Sequence, residues 1–470
     1  MKKLFLFLYI FSLSTLLLAG DVSKIKGTWQ GTLKISTVEL RIVFNINVEA
    51  DTLSSATLDS PDQGAYGIKV DRVIVSDDKV RFDVKAIGGF YEGTFNIENM
   101  QIDGMWNQGG QAIPLLLKYS EEKVELKRPQ EPKPPYPYNE EEVTYANVDA
   151  DITLAGTLTT PKTGGPFPAV ILITGSGPQN RNEELLGHKP FLVIADYLTK
   201  NGIAVLRFDD RGVGESTGDH SKANSEDFST DVLAGIEFLK TRDDIDKNKI
   251  GLVGHSEGGL IAPIVATKSN DVAFIVLLAG PGIPGDQILI LQSELISKAE
   301  GTSEEEIKKN LDLSKKMYEI IKTTPDDSTA KEKLLSAFEL FYNNLTEEEK
   351  TELGDVEMLK TQQLKILLSP WFRYFLSFDP ALALKKVTCP VLALNGENDL
   401  QVPPKENLTA IEKFLTEAGN KNFVTKELKG LNHLFQSSET GAVSEYSKIE
   451  ETFSPVALEE MLTWIKSVTN

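Results

Sequence analysis

Residues 249–259 read Lys-Ile-Gly-Leu-Val-Gly-His-Ser-Glu-Gly-Gly, so a serine stands between glycines directly after a short apolar run. The run predicts a buried strand, and the apolar segment 260–268 predicts a helix on the other side of the turn. A turn this tight forces Ser256 into a strained backbone conformation, and bulk at Gly254 or Gly258 would clash. The pattern predicts a strand–turn–helix that lifts the serine hydroxyl above the edge of a sheet.

A serine hydroxyl needs a base before it can act as a nucleophile, and the base is usually histidine. The chain has four histidines, which are His188, His220, His255 and His433. His255 lies too close to Ser256 along the chain to face its hydroxyl. In α/β-hydrolases, which carry a serine turn of this kind, the chain order is serine, acid, histidine, and only His433 follows the serine here. We expect His433 on a loop, just after the strand-like run 423–428.

The acid of such a triad would lie between the serine and the histidine. The apolar run 390–395 predicts a buried parallel strand, and the turn Gly-Glu-Asn-Asp at 396–399 follows it. An acid in that turn could accept the imidazole N–H and hold the tautomer whose other nitrogen faces the serine. The sequence favours Asp399, with Glu397 as the alternative.

A fourth element is a small-residue loop after the apolar strand 169–173, which reads Thr-Gly-Ser-Gly-Pro at 174–178. Small residues allow backbone amides to point at a developing negative charge, as in an oxyanion hole. The expected donors are the amide of Glu257, just after the serine, and that of Ser176, with Gly177 as the alternative to Ser176.

These motifs resemble those of α/β-hydrolases of the serine-aminopeptidase-like branch, and among them EstD-type carboxylesterases. The matching motifs cover residues 140–470 and are TGSGPQNR at 174–181, RFDDRGVGES at 207–216, GHSEGG at 254–259, GEND at 396–399 and LNHLF at 431–435. Thr174 departs from the pattern, because many relatives carry histidine there. The resemblance implies an α/β fold with a doubly wound, mostly parallel sheet, a helical cap, and no metal or organic cofactor.

The resemblance also implies a serine carboxylesterase that hydrolyses short-chain acyl esters through an acyl-enzyme intermediate. Ser256 would attack, His433 would move the proton and Asp399 would orient the imidazole. One alternative is a peptidase that acts on short peptides. A second is an inactive hydrolase scaffold that carries a glycan- or lipid-binding β module, and the intact order of the three residues argues against it.

The charge balance restricts the partners. Lys and Arg number 49 against 69 Asp and Glu, for a net charge of −20, which repels nucleic acids and anionic membranes. The expected partner, a small-molecule ester, is implied by the resemblance and not by the charge, and the oligomeric state, a dimer included, stays open.

Residues 1–20 have the composition of a signal peptide, with Lys2 and Lys3 before an apolar core at 4–18 and a small-residue end at Ala19-Gly20. The core is shorter than the ~20 residues of a membrane span. The single cysteine of the chain, Cys389, lies far from this segment, so a lipoprotein anchor is not expected. The sequence predicts cleavage near Ala19-Gly20, a periplasmic or secreted protein, and no stable membrane anchor.

Three further regions complete the expected domain organisation. Residues 21–120 alternate polar and apolar side chains between turns, which predicts an antiparallel β domain, either a lipocalin-like barrel or a sandwich. A proline-rich linker at 121–139 precedes the catalytic domain at 140–470. Apolar residues at helical spacing over about 283–378 predict a helical cap above the serine. Whether Trp371, Phe372 and Tyr374 contact substrate or only stabilise the cap stays open.

The segment 207–216 holds several charged residues just after a predicted strand. We expect Asp209, Asp210 and Arg211 to form a salt-bridged scaffold that shapes the site without reacting.

Overall fold

The structure is a computed structural model that describes residues 22–35, 38–49, 52–61, 65–121, 127–353 and 356–470. The chain divides into two compact units, Met1–Glu125 and Leu126–Asn470. The predicted signal peptide at 1–20 lies outside the described residues, as do residues 122–126 of the predicted linker.

The first unit is an antiparallel sheet whose strands follow one another up and down. Its strands are β1 (Gly27–Ile35), β2 (Val38–Glu49), β3 (Thr52–Ser60), β4 (Ala65–Lys69), β5 (Arg72–Ser76), β6 (Lys79–Val84), β7 (Gly89–Asn96), β8 (Gln101–Gln108) and β9 (Gln111–Ser120). The order across the sheet is β4-β3-β2-β1-β9-β8-β7-β6-β5. The predicted all-β domain is thus confirmed.

This sheet curls around its own core as a half-barrel, with β4 and β5 as its two edges among the described strands, and it does not form a sandwich of two sheets. Phe44 on β2 and Phe82 on β6 belong to strands far apart in the sheet, yet their ring centroids lie 4.6 Å apart. Both rings are fully buried and share one apolar cluster with Trp29 and Trp106. A flat sheet could not bring these strands together, so the apolar face must turn inward.

The second unit is built on a sheet that is mostly parallel. Its strands are β10 (Asn139–Asn147), β11 (Ile152–Thr160), β12 (Phe167–Ile173), β13 (Ala204–Phe208), β14 (Ile245–His255), β15 (Phe274–Leu278), β16 (Val391–Gly396) and β17 (Phe423–Leu428). The order is β10-β11-β13-β12-β14-β15-β16-β17, with β10 and β11 antiparallel to their neighbours and the rest parallel. The carboxyl ends of β12, β14, β15, β16 and β17 therefore meet at one edge.

Helices cover both faces of this sheet, as the resemblance implied. They are α1 (Pro190–Lys200), α2 (Ser225–Lys240), α3 (Glu257–Lys268), α11 (Pro404–Glu417) and α12 (Pro455–Thr469). Side chains of α2, α3 and α11 form one core with the sheet, and those of α1 and α12 form another. The central strands carry apolar side chains on both faces because both faces are buried, whereas the edge strands β10 and β17 expose polar residues.

A helical insertion separates β15 from β16, as the sequence predicted. Its helices are α4 (Gly285–Ala299), α5 (Glu304–Thr323), α6 (Asp327–Asn343), α7 (Glu347–Glu352), α8 (Val356–Leu367), α9 (Pro370–Ser377) and α10 (Ala381–Leu384). Helix α9 reaches the body of the unit, where Phe375 packs in one apolar cluster with Leu260 and Ile264 of α3. The insertion therefore lies next to the helix that directly follows Ser256.

The proline-rich segment is attached to the second unit rather than being a free connector. The guanidinium of Arg128 donates to backbone carbonyls on two loops, among them Leu186 at 3.1 Å and Ile449 at 3.0 Å. The amide of Gln130 donates to the Phe453 carbonyl at 2.7 Å. Residues 127–138 have no helix or strand, but their contacts fix them on the unit. Among the described residues, no helix has both the length and the apolar character needed to cross a membrane.

Candidate active site

Ser256 occupies the sharp turn between β14 and α3. Its backbone angles are φ 51° and ψ −115°, a left-handed φ that costs a non-glycine residue about 1–3 kcal/mol. A Cβ at Gly254 would lie 2.0 Å from the carbonyl oxygen of Gly258, and one at Gly258 would lie 2.1 Å from that of Ile173. The two glycines are therefore required by the close approach of strand and helix, which confirms the predicted elbow.

Asp399 and His433 meet at the carboxyl ends of β16 and β17. Oδ2 of Asp399 and Nδ1 of His433 are 2.9 Å apart, and both residues are buried. The other carboxylate oxygen, Oδ1, accepts the backbone N–H groups of Gln401 at 2.8 Å and Val402 at 2.9 Å. With both oxygens engaged, the carboxylate is held in one orientation and can fix the tautomer of His433.

The packing of two loops determines which acid reaches the histidine. A Cβ at Gly396 would lie 2.2 Å from the carbonyl oxygen of Leu431, so the loops after β16 and β17 touch backbone to backbone. In this arrangement Asp399 points at His433. Glu397 is exposed and instead accepts the N–H of Gly430 at 2.9 Å. Asp399, the acid that the sequence favours, therefore contacts His433, whereas Glu397 contacts Gly430.

His255, which precedes Ser256, joins the elbow to the histidine loop. Its Nε2 lies 3.0 Å from the carbonyl oxygen of His433, and the two ring centroids are 4.9 Å apart. This contact brings His433 to the elbow. In the described part of the chain, no hydrogen bond links the Ser256 hydroxyl to the imidazole of His433. Hydrogen bonds between catalytic groups are often long before a substrate binds.

The other nitrogen of His255 faces a buried acid, Glu183. Nδ1 of His255 and Oε1 of Glu183 are 2.9 Å apart, and the same oxygen accepts the backbone N–H of Gly175 at 2.7 Å. Burial by itself would lower the pKa of His255, but the charge of Glu183 and the hydrogen bonds to Glu183 and His433 raise that pKa above its usual value. The sequence indicated neither contact, because Glu183 falls in a loop without periodicity.

The loop after β12 is shaped by Asp210. Its carboxylate accepts the hydroxyl of Thr174 at 2.8 Å and the backbone N–H of Gln179 at 2.8 Å, so it holds both ends of the segment 174–179. Burial raises the pKa of Asp210 well above its usual value. Between these ends Ser176 is exposed and Gly177 has a φ of +90°. Thr174, the departure from the family pattern, thus takes part in fixing the loop.

The rest of the charged segment 207–216 forms the expected scaffold. Arg211 makes a two-point contact with Asp231 at 2.8 and 2.9 Å. Asp209 pairs with Arg181 at 2.7 Å. The prediction of salt bridges is therefore confirmed for Asp209 and Arg211 and wrong for Asp210, whose partners described above are a hydroxyl and an amide.

The side chain of Glu257 is turned away from the serine and buried. Its Oε1 accepts the Ser225 hydroxyl at 2.6 Å and the indole N–H of Trp371, on α9, at 2.8 Å. Burial raises the pKa of Glu257 to about 6, although both hydrogen bonds oppose the rise. The carboxylate thus links the elbow to the helical insertion, a contact that no local sequence pattern indicates.

The chain is similar to one protein family and to several single proteins. The family model for serine aminopeptidase, S33, matches residues 189–333. Esterase EstD of Thermotoga maritima is 28% identical over 322 residues, which cover 67% of this chain and 67% of that protein. Two similar solved structures are the α/β-hydrolase GrgF from a Penicillium species and the esterase Pf2001 of Pyrococcus furiosus. GrgF has 16% identity and a TM-score of 0.44, with coverage of 70% of this chain and 98% of its own. Pf2001 has 16% identity and a TM-score of 0.41, with coverage of 70% and 90%.

An eight-stranded, mostly parallel sheet, with a serine elbow and an acid–histidine pair at its carboxyl edge, is the arrangement of the α/β-hydrolase fold. The protein is a hydrolase with this fold. Within the superfamily it is similar to the serine-aminopeptidase-like branch and to EstD-type esterases, with an all-β unit before the catalytic one.

Proposed function

We propose that the protein is a serine carboxylesterase in which Ser256, His433 and Asp399 form the catalytic triad. The observation that carries the proposal is the buried contact of 2.9 Å between Nδ1 of His433 and Asp399, beside a serine held at a positive φ. In this mechanism Nε2 of His433 takes the hydroxyl proton as Ser256 attacks the ester carbonyl.

The proton then passes from His433 to the leaving alkoxide as the tetrahedral intermediate collapses to an acyl-enzyme. Water attacks the acyl group in turn, with His433 again as the base, and the acid leaves Ser256 free. Asp399 stabilises the imidazolium that forms twice in this cycle. Each step uses only groups of this chain and water.

The oxyanion would be held by the backbone amides of Glu257 and Ser176. Glu257 is the first residue of α3, so its N–H has no acceptor within the helix, and the helix dipole adds positive potential there. The amide of Gly175 is occupied by Glu183, which leaves Ser176 as the next donor along the loop and Gly177 as the alternative. Removing one such donor typically costs about 10²–10³ in kcat.

The proposed substrates are esters of short acyl chains, from acetyl to about butyryl. The support is the similarity to a protein named an esterase, EstD. Hydrolysis of short peptides is the second candidate, since the family model that matches residues 189–333 is described as a serine aminopeptidase. The same catalytic groups could cleave an ester or an amide bond, so rates measured on both kinds of substrate distinguish the two candidate functions.

We also propose that the chain is exported, with cleavage of the leader near Ala19-Gly20. The charged start and short apolar core of residues 1–20 support this part of the proposal. Sequencing the N-terminus of the protein recovered from an expressing bacterium tests it, and a mature protein that still begins at Met1 would contradict it.

A panel of p-nitrophenyl esters from acetyl to palmitoyl, assayed beside aminoacyl anilides, tests the substrate class. We expect the highest kcat/KM on acyl chains up to butyryl and slower cleavage of every anilide. Faster turnover of an anilide than of any ester would favour the peptidase. Labelling with a fluorophosphonate tests the nucleophile, because the wild type should react at Ser256 and the S256A variant should not.

A further inference from the structure

Each ring nitrogen of His255 faces an oxygen atom that can accept a hydrogen bond. Its Nε2 faces the carbonyl oxygen of His433 at 3.0 Å and its Nδ1 faces Oε1 of Glu183 at 2.9 Å. A carbonyl oxygen only accepts, and so does an ionised carboxylate, whereas a neutral imidazole has a single N–H to donate. Both contacts are satisfied together when His255 is an imidazolium and Glu183 a carboxylate.

The surroundings favour this charged pair. His255 and Glu183 are 6% and 5% exposed, so an isolated charge on either would be costly, whereas a pair in direct contact is neutral overall. The groups that face the imidazole from the neighbouring loops are Glu183, His433 and Asp399, of which two are acids. The ring of Phe435 closes the remaining side, with its centroid 6.4 Å away.

The pair also connects the two loops on which catalysis would depend. Oε1 of Glu183 accepts the N–H of Gly175, the residue before the expected oxyanion donor Ser176. On the opposite side, His255 holds the backbone of His433. A Cβ at Gly175 would lie 3.3 Å from Cβ of Ser256, so this loop, the elbow and the histidine loop all meet around the pair.

We propose that Glu183 and His255 are positioning residues, a buried carboxylate–imidazolium pair that holds the oxyanion loop and His433 in register with Ser256. This inference rests on the proposed triad. When the imidazolium of His255 loses one of its two ring protons, either Glu183 or the carbonyl of His433 is left without a donor. The oxyanion loop or the histidine loop is then held less firmly. Since misplacement by about 1 Å can cost 10²-fold in rate, the pair would act on kcat rather than on substrate binding.

The Glu183→Gln variant tests the pair, with Glu184→Gln as the matched control. Glu184 is the next residue, is exposed and undergoes the same chemical change. In E183Q the charge that raises the pKa of His255 is gone, so burial lowers that pKa. We expect kcat on an acetyl ester to fall about 10- to 100-fold with KM within about twofold. The alkaline limb of the pH–kcat profile should also move to lower pH, while E184Q keeps both the rate and the profile.

Nitrogen NMR of the wild type, with ¹⁵N in its four histidines, gives a second readout that needs neither activity nor a folded variant. His255 should show two protonated ring nitrogens at pH 7.5. His188 should show one, because burial, together with the charge of Arg128, lowers the pKa of His188 to about 4. A neutral His255 at pH 7.5 would overturn the proposal. So would an E183Q variant whose kcat and pH profile match those of E184Q.

Fluorophosphonate labelling separates this proposal from the triad itself. If wild type and E183Q both label at Ser256, with E183Q slower, the triad and the pair both stand. If wild type fails to label there, the proposed serine mechanism is wrong, whatever the protonation state of His255.

Discussion

The indole Nε1 of Trp371 donates a hydrogen bond of 2.8 Å to Oε1 of Glu257, so the helical insertion is joined to the residue that follows the serine. The indole N–H therefore has a partner within the protein. Of the two roles that the sequence left open for Trp371, this contact supports stabilisation of the insertion. Tyr374, one turn further on α9, donates to Glu226 at 3.1 Å. Both side chains attach the insertion to helices of the catalytic unit.

The pKa of Glu257 makes the stability of this region depend on pH. Burial raises that pKa from its ordinary 4.5 to about 6, so between these values the folded chain binds a proton that the unfolded chain has lost. The contribution of Glu257 to stability is therefore present below pH 4.5 and is lost as pH rises to about 6. The loss amounts to about 2 kcal/mol.

Between pH 4 and pH 7, the unfolding free energy of the wild type should fall by about 2 kcal/mol more than that of the Glu257→Gln variant. Glutamine keeps an oxygen for Trp371 and Ser225 but does not ionise. Thermal or denaturant unfolding at several pH values measures the difference. The exposed Glu439→Gln variant is the control and should track wild type, and a pH-independent offset for E257Q would contradict the prediction.

The choice of Asp399 over Glu397 predicts unequal effects of the same amide substitution. Asp399→Asn keeps the shape of the side chain but presents an N–H to His433, which forces the wrong tautomer, so kcat should fall about 10⁴-fold. Glu397→Gln should change kcat by less than about threefold, since that side chain is exposed and bonded to Gly430. Initial rates on an acetyl ester, with melting curves to verify folding, decide the matter. Equal losses in the two variants would exclude the assignment.

The strained backbone of Ser256 predicts a stability difference between two inactive variants. Glycine tolerates a φ of 51° but alanine does not, so Ser256→Gly should be more stable than Ser256→Ala, by about 1 kcal/mol. Ser269, at the other end of α3, has an extended φ of −133°, and there glycine should be no better than alanine. Urea unfolding of the four variants gives both differences. A more stable alanine at Ser256 would show that the turn is not strained.

The contacts of Arg128 and Gln130 predict where the catalytic unit can be shortened. A chain that begins at Lys127 keeps these contacts, whereas one that begins at Tyr138 loses the bonds to Leu186, Ile449 and Phe453. We expect the shorter chain to melt several degrees lower, because each lost hydrogen bond contributes about 1 kcal/mol. Scanning calorimetry of both chains tests this. Identical melting temperatures would mean that the segment adds no stability.

The local sequence was sufficient to predict the strands of the second unit and the order of Ser256, Asp399 and His433. Most of the parallel strands contain an apolar run with a turn at its carboxyl end, and the glycines of the elbow indicate where the chain reverses. These features are encoded within about ten neighbouring residues, so a single sequence reveals them.

Only the tertiary structure revealed the contacts of Glu183 with His255 and of Trp371 with Glu257, and it brought Asp399, the acid that the sequence favoured, against His433. The curvature that makes the first sheet a half-barrel rather than a sandwich was likewise absent from the pattern of alternation. Each of these outcomes depends on which loops meet at the edge of a sheet, such as the backbone contact between Gly396 and Leu431. Such contacts join residues that are distant in sequence and leave no periodic signal in either segment.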